Sequence, residues 1–329
     1  MTRNSRQRVG GGSPFKKEGA ESERGESLYK EVTDRIVQEL EAGRFPWVQP
    51  WGQAKAALGL PRNAATSRPY SGINVLILWG SAIEHDFPTQ AWLTFRQALA
   101  LGGYVRKGER GTTVCYADRF TPKSEIERVA REGGEPDAVP FLKRFTVFNA
   151  AQCEGLPDHV LVSAPVMPER EIIPQAEVVI AATGADFRIG GDRAFYVPEE
   201  DYVRVPPQPA FHEQINFYRT CFHELGHWTG HVSRLNRDLS GRMGSNLYAR
   251  EELIAELSCA FLCATLGIVP TVRHADYLGA WLDVLREDAR AIFRAAGQAS
   301  KAANFVLRQG PHTRDSDRQT ASEAAAPGT

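Results

Sequence analysis

The sequence predicts an α+β protein of two domains. Its 329 residues suit two domains better than one. Segments with a helical apolar period are mixed with short strand-like runs in both halves. A stretch over 163–174, carrying Pro165, Pro168 and Pro174, reads as the linker between them. The expected boundaries are a disordered tail over 1–27, a first domain over 28–162, the linker, a second domain over 175–309 and a disordered tail over 310–329. The tails are polar and lack apolar content.

In chain order, Leu28, Val32, Ile36, Val37 and Leu40 form a helical stripe that ends at Gly43. A Pro-interrupted aromatic loop with Trp47 and Trp51 follows, then a polar loop over 61–74 that leads into an apolar helix through Leu78 and Trp79. A helix is expected from Gln90 to Leu101, broken by Gly102-Gly103. Residues 104–116 read as a β-hairpin around a basic glycine turn. Residues 121–139 are a charged insertion, and Phe141 to Phe148 a further strand. In the second half a helix is expected over 176–183. Asp186-Phe-Arg-Ile and Ala194-Phe-Tyr-Val are expected to pair around Gly190-Gly191, followed by a strand over Tyr202–Val205. A single helix is expected over 275–296. No internal repeat is evident.

Composition narrows the function classes. The net charge is −1, so whole-chain charge selects no partner. Five cysteines without a C-x-x-C pair, and no secretory leader, predict reduced thiols and a cytoplasmic location. No run approaches the ~18 apolar residues of a membrane span.

The chemistry concentrates in Thr220-Cys-Phe-His223-Glu224-Leu-Gly-His227-Trp-Thr-Gly-His231. Ile215, Tyr218, Phe222 and Leu225 make a helical stripe, and Gly230 is a helix stop. On that helix His223 and His227 share a face and can hold one metal ion. Glu224 lies about 60° to 100° further round, placed to hold a metal-bound water as general base. Tetrahedral Zn2+ needs a third protein ligand and an open position. A second expected helix, Tyr248 to Leu262, carries Glu252 and Glu256 four apart at the edge of an apolar side. One of them would be the ligand and the other an acceptor for a histidine N–H, with Glu252 favoured as ligand. The order Glu252-Leu-Ile-Ala-Glu256 resembles the glutamate helix of gluzincin metallopeptidases. His231 lies eight after His223, not the ten of a metzincin, and reads as a loop residue. Tyr248 is a candidate oxyanion donor, with packing as the plainer alternative.

Between Arg44 and Thr112 there are eight Lys/Arg against three acids, interleaved with aromatics. Cations that track phosphates and rings that stack on unpaired bases suit single-stranded nucleic acid. The candidate contacts are Arg106, Lys107 and Arg110 on the glycine turn, Arg62, Asn63, Arg68 and Tyr70 on the preceding loop, and Trp47 and Trp51. Trp79, Trp92 and Phe95 read as core.

Several pieces together resemble the ArdC-type antirestriction proteins of conjugative plasmids. They are Leu40-Glu-Ala-Gly43, Pro46-Trp47, Pro50-Trp51, Tyr70-Ser-Gly-Ile-Asn74, Gly103-Tyr-Val-Arg-Lys-Gly-Glu-Arg-Gly111, Phe145-Thr-Val-Phe-Asn149, His223 to His231, Arg234-Leu-Asn236 and the Tyr248 to Glu256 helix. The resemblance implies an N-terminal single-stranded DNA-binding domain, a C-terminal zincin-like metallopeptidase domain and protection of incoming plasmid DNA from host restriction. A protein of the host restriction machinery would then be the peptide substrate. Two alternatives stand beside it: a soluble metallopeptidase acting on a protein partner without nucleic acid, and a non-enzymatic DNA-binding shield whose metal is structural.

Overall fold

A computed structural model of the chain describes residues 15–48, 58–121, 123–133, 135, 139–161, 169–270 and 277–310. The first helix, α1 (Phe15–Glu41), begins before the apolar stripe does, within the stretch expected to be disordered. From Leu28 on, its buried face includes Leu28, Ile36 and Leu40. β1 (Arg62–Asn63) and α2 (Ile73–Glu84) follow. Gly72, at φ 60, turns the chain into α2.

The segment expected as one helix over 90–101 is a strand and a helix, β2 (Ala91–Leu93) and α3 (Phe95–Ala100). Ala91, Trp92 and Leu93 are all buried, because β2 lies between β1 and β5 in the sheet. Thr94 then caps α3 by accepting from Gln97 N at 3.2 Å, and Thr94 N donates back to Gln97 Oε1. Trp92 is core as expected, but Phe95 is 51% exposed.

The expected hairpin over 104–116 does not form. β3 (Tyr104–Val105) pairs with β6 (Cys153–Glu154), and β4 (Thr112–Phe120) pairs with β5 (Val139–Asn149). Gly111 lets β4 approach β5, since a Cβ there would meet Thr146 Cγ2 at 2.4 Å. The charged insertion forms α4 (Lys123–Glu132) at the far end of the β4–β5 pair. The sheet runs β1-β2-β5-β4. The side chain of Asn74 clamps β4 through both backbone groups of Cys115, at 2.7 and 2.8 Å.

After α5 (Asp158–Leu161), α6 (Glu169–Ala182) is already helical inside the expected linker, and 162–168 lie outside the described residues. β7 (Asp186–Ile189) and β8 (Phe195–Val197) do not pair with each other. Both pair with β9 (Tyr202–Val205), in the order β7-β9-β8. β9 takes the centre because Val203 and Val205 are fully buried, while β7 and β8 carry no buried residue. Then come α7 (Gln214–Trp228) and α8 (Asn246–Thr265). The helix expected over 275–296 is two, α9 (Leu278–Glu287) and α10 (Ala291–Gln309). The break at 288–290 is held by Thr33 Oγ1 donating to Ala289 O at 2.6 Å and by Asp288 Oδ1 accepting from Arg290 N.

One hydrophobic cluster joins the halves. Trp47 meets Trp281 with ring centroids 5.9 Å apart, and Trp79 of α2 meets Phe261 of α8 at 5.7 Å. Trp79 also donates from Nε1 to Gly59 O at 2.9 Å. Among the described residues no helix is long and apolar enough to cross a membrane.

Candidate metal centre

α7 and α8 lie face to face, and Gly226 sets their distance. A Cβ at Gly226 would stand 3.0 Å from Ala255 Cα. The close approach brings α8's carboxylates to α7's imidazoles. His223 Nε2 lies 3.5 Å from Glu252 Oε2, and His227 Nε2 lies 3.5 Å from Glu252 Oε1. The donor atoms of His223, His227 and Glu252 all fall within 4.8 Å of one another. The two glutamates differ in where they lie against the imidazoles. Glu252 faces both Nε2 atoms, whereas Glu256 lies 3.6 Å from His223 Nδ1, on the far side of the ring.

His227 has a matching partner that the sequence reading did not assign. Its Nδ1 is 3.2 Å from Glu251 Oε1. Arg237 holds Glu251 in place through two bonds, at 3.0 and 2.7 Å. The same guanidinium donates to Gly226 O at 2.6 Å and to Thr229 Oγ1 at 2.9 Å. Arg237 is thus a brace between the end of α7 and the start of α8. It sits in an irregular loop, so no spacing rule points to it. Glu251 does carry a signal, since it adjoins Glu252 on a helix whose rim faces the histidines.

The donor set fits a divalent cation. Glu224, Glu251, Glu252 and Glu256 are all at most 8% exposed. Buried carboxylates need compensating charge, and here Arg237 and the two imidazoles face four acids. Burial opposes a charge on His223, but the carboxylates of Glu252 and Glu256, 3.5 and 3.6 Å away, and that of Glu224 favour it, so its pKa rises to about 10. Burial likewise opposes charge on Glu252, yet His223 and His227 pull its pKa down to about 2. The carboxylates gathered here outnumber the basic groups that face them. Two Nε2 atoms and one carboxylate make a His2Glu group that could hold a divalent cation, with a further carboxylate near the Nδ1 of each ring.

The centre opens into a cleft of about 490 Å³. His223, Glu224, His227 and Glu252 line one wall, and residues of β8, Phe195 and Tyr196, line another. β8 is an outer strand of its sheet. Tyr248 also lines the cleft, with its hydroxyl 3.1 Å from that of Tyr277. Burial and the bond to Tyr277 raise its pKa, which keeps the phenol protonated. Arg234 ties the β8–β9 turn to α7. It donates to Asp201 Oδ2 at 2.9 Å and to Trp228 O at 2.6 Å, and stacks over the Trp228 ring. His231 bonds Ser233 instead, away from the metal-ligand group.

The candidate DNA contacts divide. Arg68, Arg106, Lys107 and Arg110 are exposed, with Arg106 paired to Glu109 at 2.6 Å. Arg62 is half-buried and reaches Val160 O at 3.5 Å. Asn63 builds the turn, accepting from the backbone of Ala65 and Thr66 at 3.1 Å. Tyr70 packs half-buried against the Leu78, Trp92 and Val114 cluster. Trp47 is fully buried, which removes it as a stacking surface. Trp51 lies outside the described residues.

Comparison with known proteins places the two halves of the chain. Residues 26–148 match the N-terminal domain of anti-restriction factor ArdC, and residues 174–298 match a zincin-like metallopeptidase domain. The crystal structure of the antirestriction protein ArdC from plasmid R388, metal-free, superposes with a TM-score of 0.72 at 41% identity, covering 86% of this chain and 97% of that one. The Mn(II)-bound structure of the same protein gives 0.71 at 39% identity, with the same coverage. The uncharacterized protein y4eC of Sinorhizobium fredii is 39% identical over 297 residues, 89% of this chain and 94% of that protein. DNA primase TraC of Escherichia coli is 38% identical over 296 residues; the match takes in 85% of this chain but only 27% of the primase.

Proposed function

We propose, for a chain that belongs to the ArdC family of antirestriction proteins, that it binds single-stranded DNA, shields incoming plasmid DNA and carries a working metallopeptidase centre. The observation that carries the enzymatic half is the convergence of two Nε2 atoms on Glu252 inside a cleft edged by β8. His223, His227 and Glu252 would hold the cation, Zn2+ being the first choice for this donor set. A divalent ion bound there supplies Lewis acidity toward a carbonyl oxygen and toward water.

The chain's own residues do the rest. Glu224, adjoining His223 and facing the cleft, takes a proton from water and returns it to the leaving nitrogen. Glu256 and Glu251 fix the two imidazoles through Nδ1. An extended peptide adds to the outer edge of β8, which orients its carbonyl over the centre. Tyr248, held protonated, donates to the oxyanion. The substrate class is a protein of the host restriction machinery, met in the cytoplasm.

The test is Glu224→Ala in a plasmid-transfer assay under restriction, with metal content measured on the purified variant. Retained metal with lost protection supports proteolysis as the mechanism. Retained metal with full protection would show that DNA binding alone shields. On the DNA side, a labelled oligonucleotide should bind more tightly single-stranded than double-stranded, and weaken steeply with salt.

A further inference from the structure

A second cleft of about 490 Å³ lies where β4 and the 71–74 turn meet the start of α10. It joins the two halves of the chain and is separate from the metal centre. Tyr29, Tyr116, Phe293, Arg290 and Arg294 line it, and among its described lining residues there is no carboxylate. The groove between α1 and α2, by contrast, is lined by Glu31, Glu39 and Glu84 as well as arginines.

Exposed rings and cations lie in this cleft and, through Tyr116, beside it on the sheet. Tyr116 is 51% exposed and meets Phe145, 46% exposed, edge to face at 5.9 Å. The exposed Lys143 is directly opposite Tyr116 across the β4–β5 pair, so all three share one face of the sheet. Two adjoining exposed rings beside a cation offer a face on which an unpaired base can stack. Further in, Tyr29 and Phe293 pack at 4.6 Å, with the Arg290 guanidinium 5.0 Å over the Tyr29 ring. Arg290 and Arg294 are exposed and four apart, so they fall on one side of the helix start. Asp288 bonds Arg294, which positions that guanidinium while neutralising part of its charge.

We propose that single-stranded DNA is held across this inter-half cleft, with a base against Tyr116 and Phe145 and the adjoining phosphates on Arg290 and Arg294. The proposal rests on the reading that the protein binds single-stranded DNA. It adds that the C-terminal half supplies part of the binding surface. A DNA strand so placed would bridge the halves, because Tyr116 belongs to the first and Arg290 and Arg294 to the second.

The experiment uses the full-length protein and a fluorescent oligonucleotide, with Kd measured over a range of salt. Arg290→Gln/Arg294→Gln should weaken binding roughly tenfold at low salt and cut the slope of log affinity against log salt by about 1.4, near 0.7 per lost phosphate contact. Arg290→Lys/Arg294→Lys should keep the wild-type slope. Tyr116→Ala should lose roughly five- to hundred-fold in affinity with an unchanged slope, and Tyr116→Phe should bind normally. These side chains are exposed, and thermal unfolding of each variant checks the fold. Unchanged Kd and slope in the glutamine variant, with wild type binding DNA, would overturn the proposal and leave the DNA-binding reading intact. Failure of wild type to bind DNA would end both. Loss of poly-glutamate binding with DNA binding untouched would assign the cleft to an acidic peptide instead, and so overturn the proposal too.

Discussion

The metal helices and the basic surface of the first half use charge in opposite ways. In the metal helices every acidic side chain at the centre is nearly dry, and each has a partner within 3.6 Å or faces the cleft. In the first half, Arg68, Lys107 and Arg110 stand in solvent. A dry cluster works only at one geometry, because desolvated charges carry large penalties when a partner shifts. Solvated cations attract a polyanion from many positions, through released counterions. The first kind of site is specified by spacing on rigid helices. The second is specified only by which residues the fold leaves outside.

The largest test of that contrast is His223→Ala/His227→Ala. Metal content measured by mass spectrometry should drop from about one ion per chain to none, while oligonucleotide affinity stays put. A parallel fall in DNA binding would mean the two regions are not independent.

Next in size is Trp47→Ala. Removing a fully buried indole should cost about 3–5 kcal/mol in urea unfolding, with any change in DNA affinity following from stability alone. A near-neutral stability effect with lost DNA binding would return Trp47 to the DNA surface.

Gly226→Val asks how tightly the dry site is held. The added side chain meets Ala255 and should cost about 1–3 kcal/mol by overpacking. Separating α7 from α8 should also weaken metal binding in a competition with a chelator.

A smaller effect concerns Cys115, buried on β4. Burial pushes its thiol up to about 11, from an ordinary 9.0, against the pull of nearby Arg144. The unfolded thiol ionises first, so this contribution is complete below about pH 9 and is lost as pH rises through about 11. Cys115→Ala should flatten the decline in unfolding midpoint over that window. An identical decline in both proteins would place Cys115 outside the packed sheet.

The smallest is Lys107→Ala. One solvated cation should reduce the salt slope for oligonucleotide binding by about 0.7, with stability unchanged. A large loss of affinity at every salt would mean that this tip makes a specific contact.

From sequence alone, the His223, Glu224 and His227 face, the helix carrying Glu252 and Glu256, and the α+β class were all readable. Residues four apart on a helix share a face wherever that helix ends up, so local spacing carried the information. Spacing could not choose between Glu252 and Glu256, because both lie on the same rim. Only the packing of α8 on α7 set them apart, Glu252 beside His223 Nε2 and Glu256 beside His223 Nδ1. Strand partners were equally beyond reach: β3 and β4 are neighbours in sequence, yet they pair with β6 and β5. Pairing depends on which faces a distant segment can bury, and nothing local to residues 104–116 records that. The same reason governs the aromatics. Composition counted Trp47 and Tyr116 alike as flat rings, and only packing put one against Trp281 and left the other in water. Glu251 and Arg237 meet across a helix end and a loop, a contact that exists only once the chain has folded.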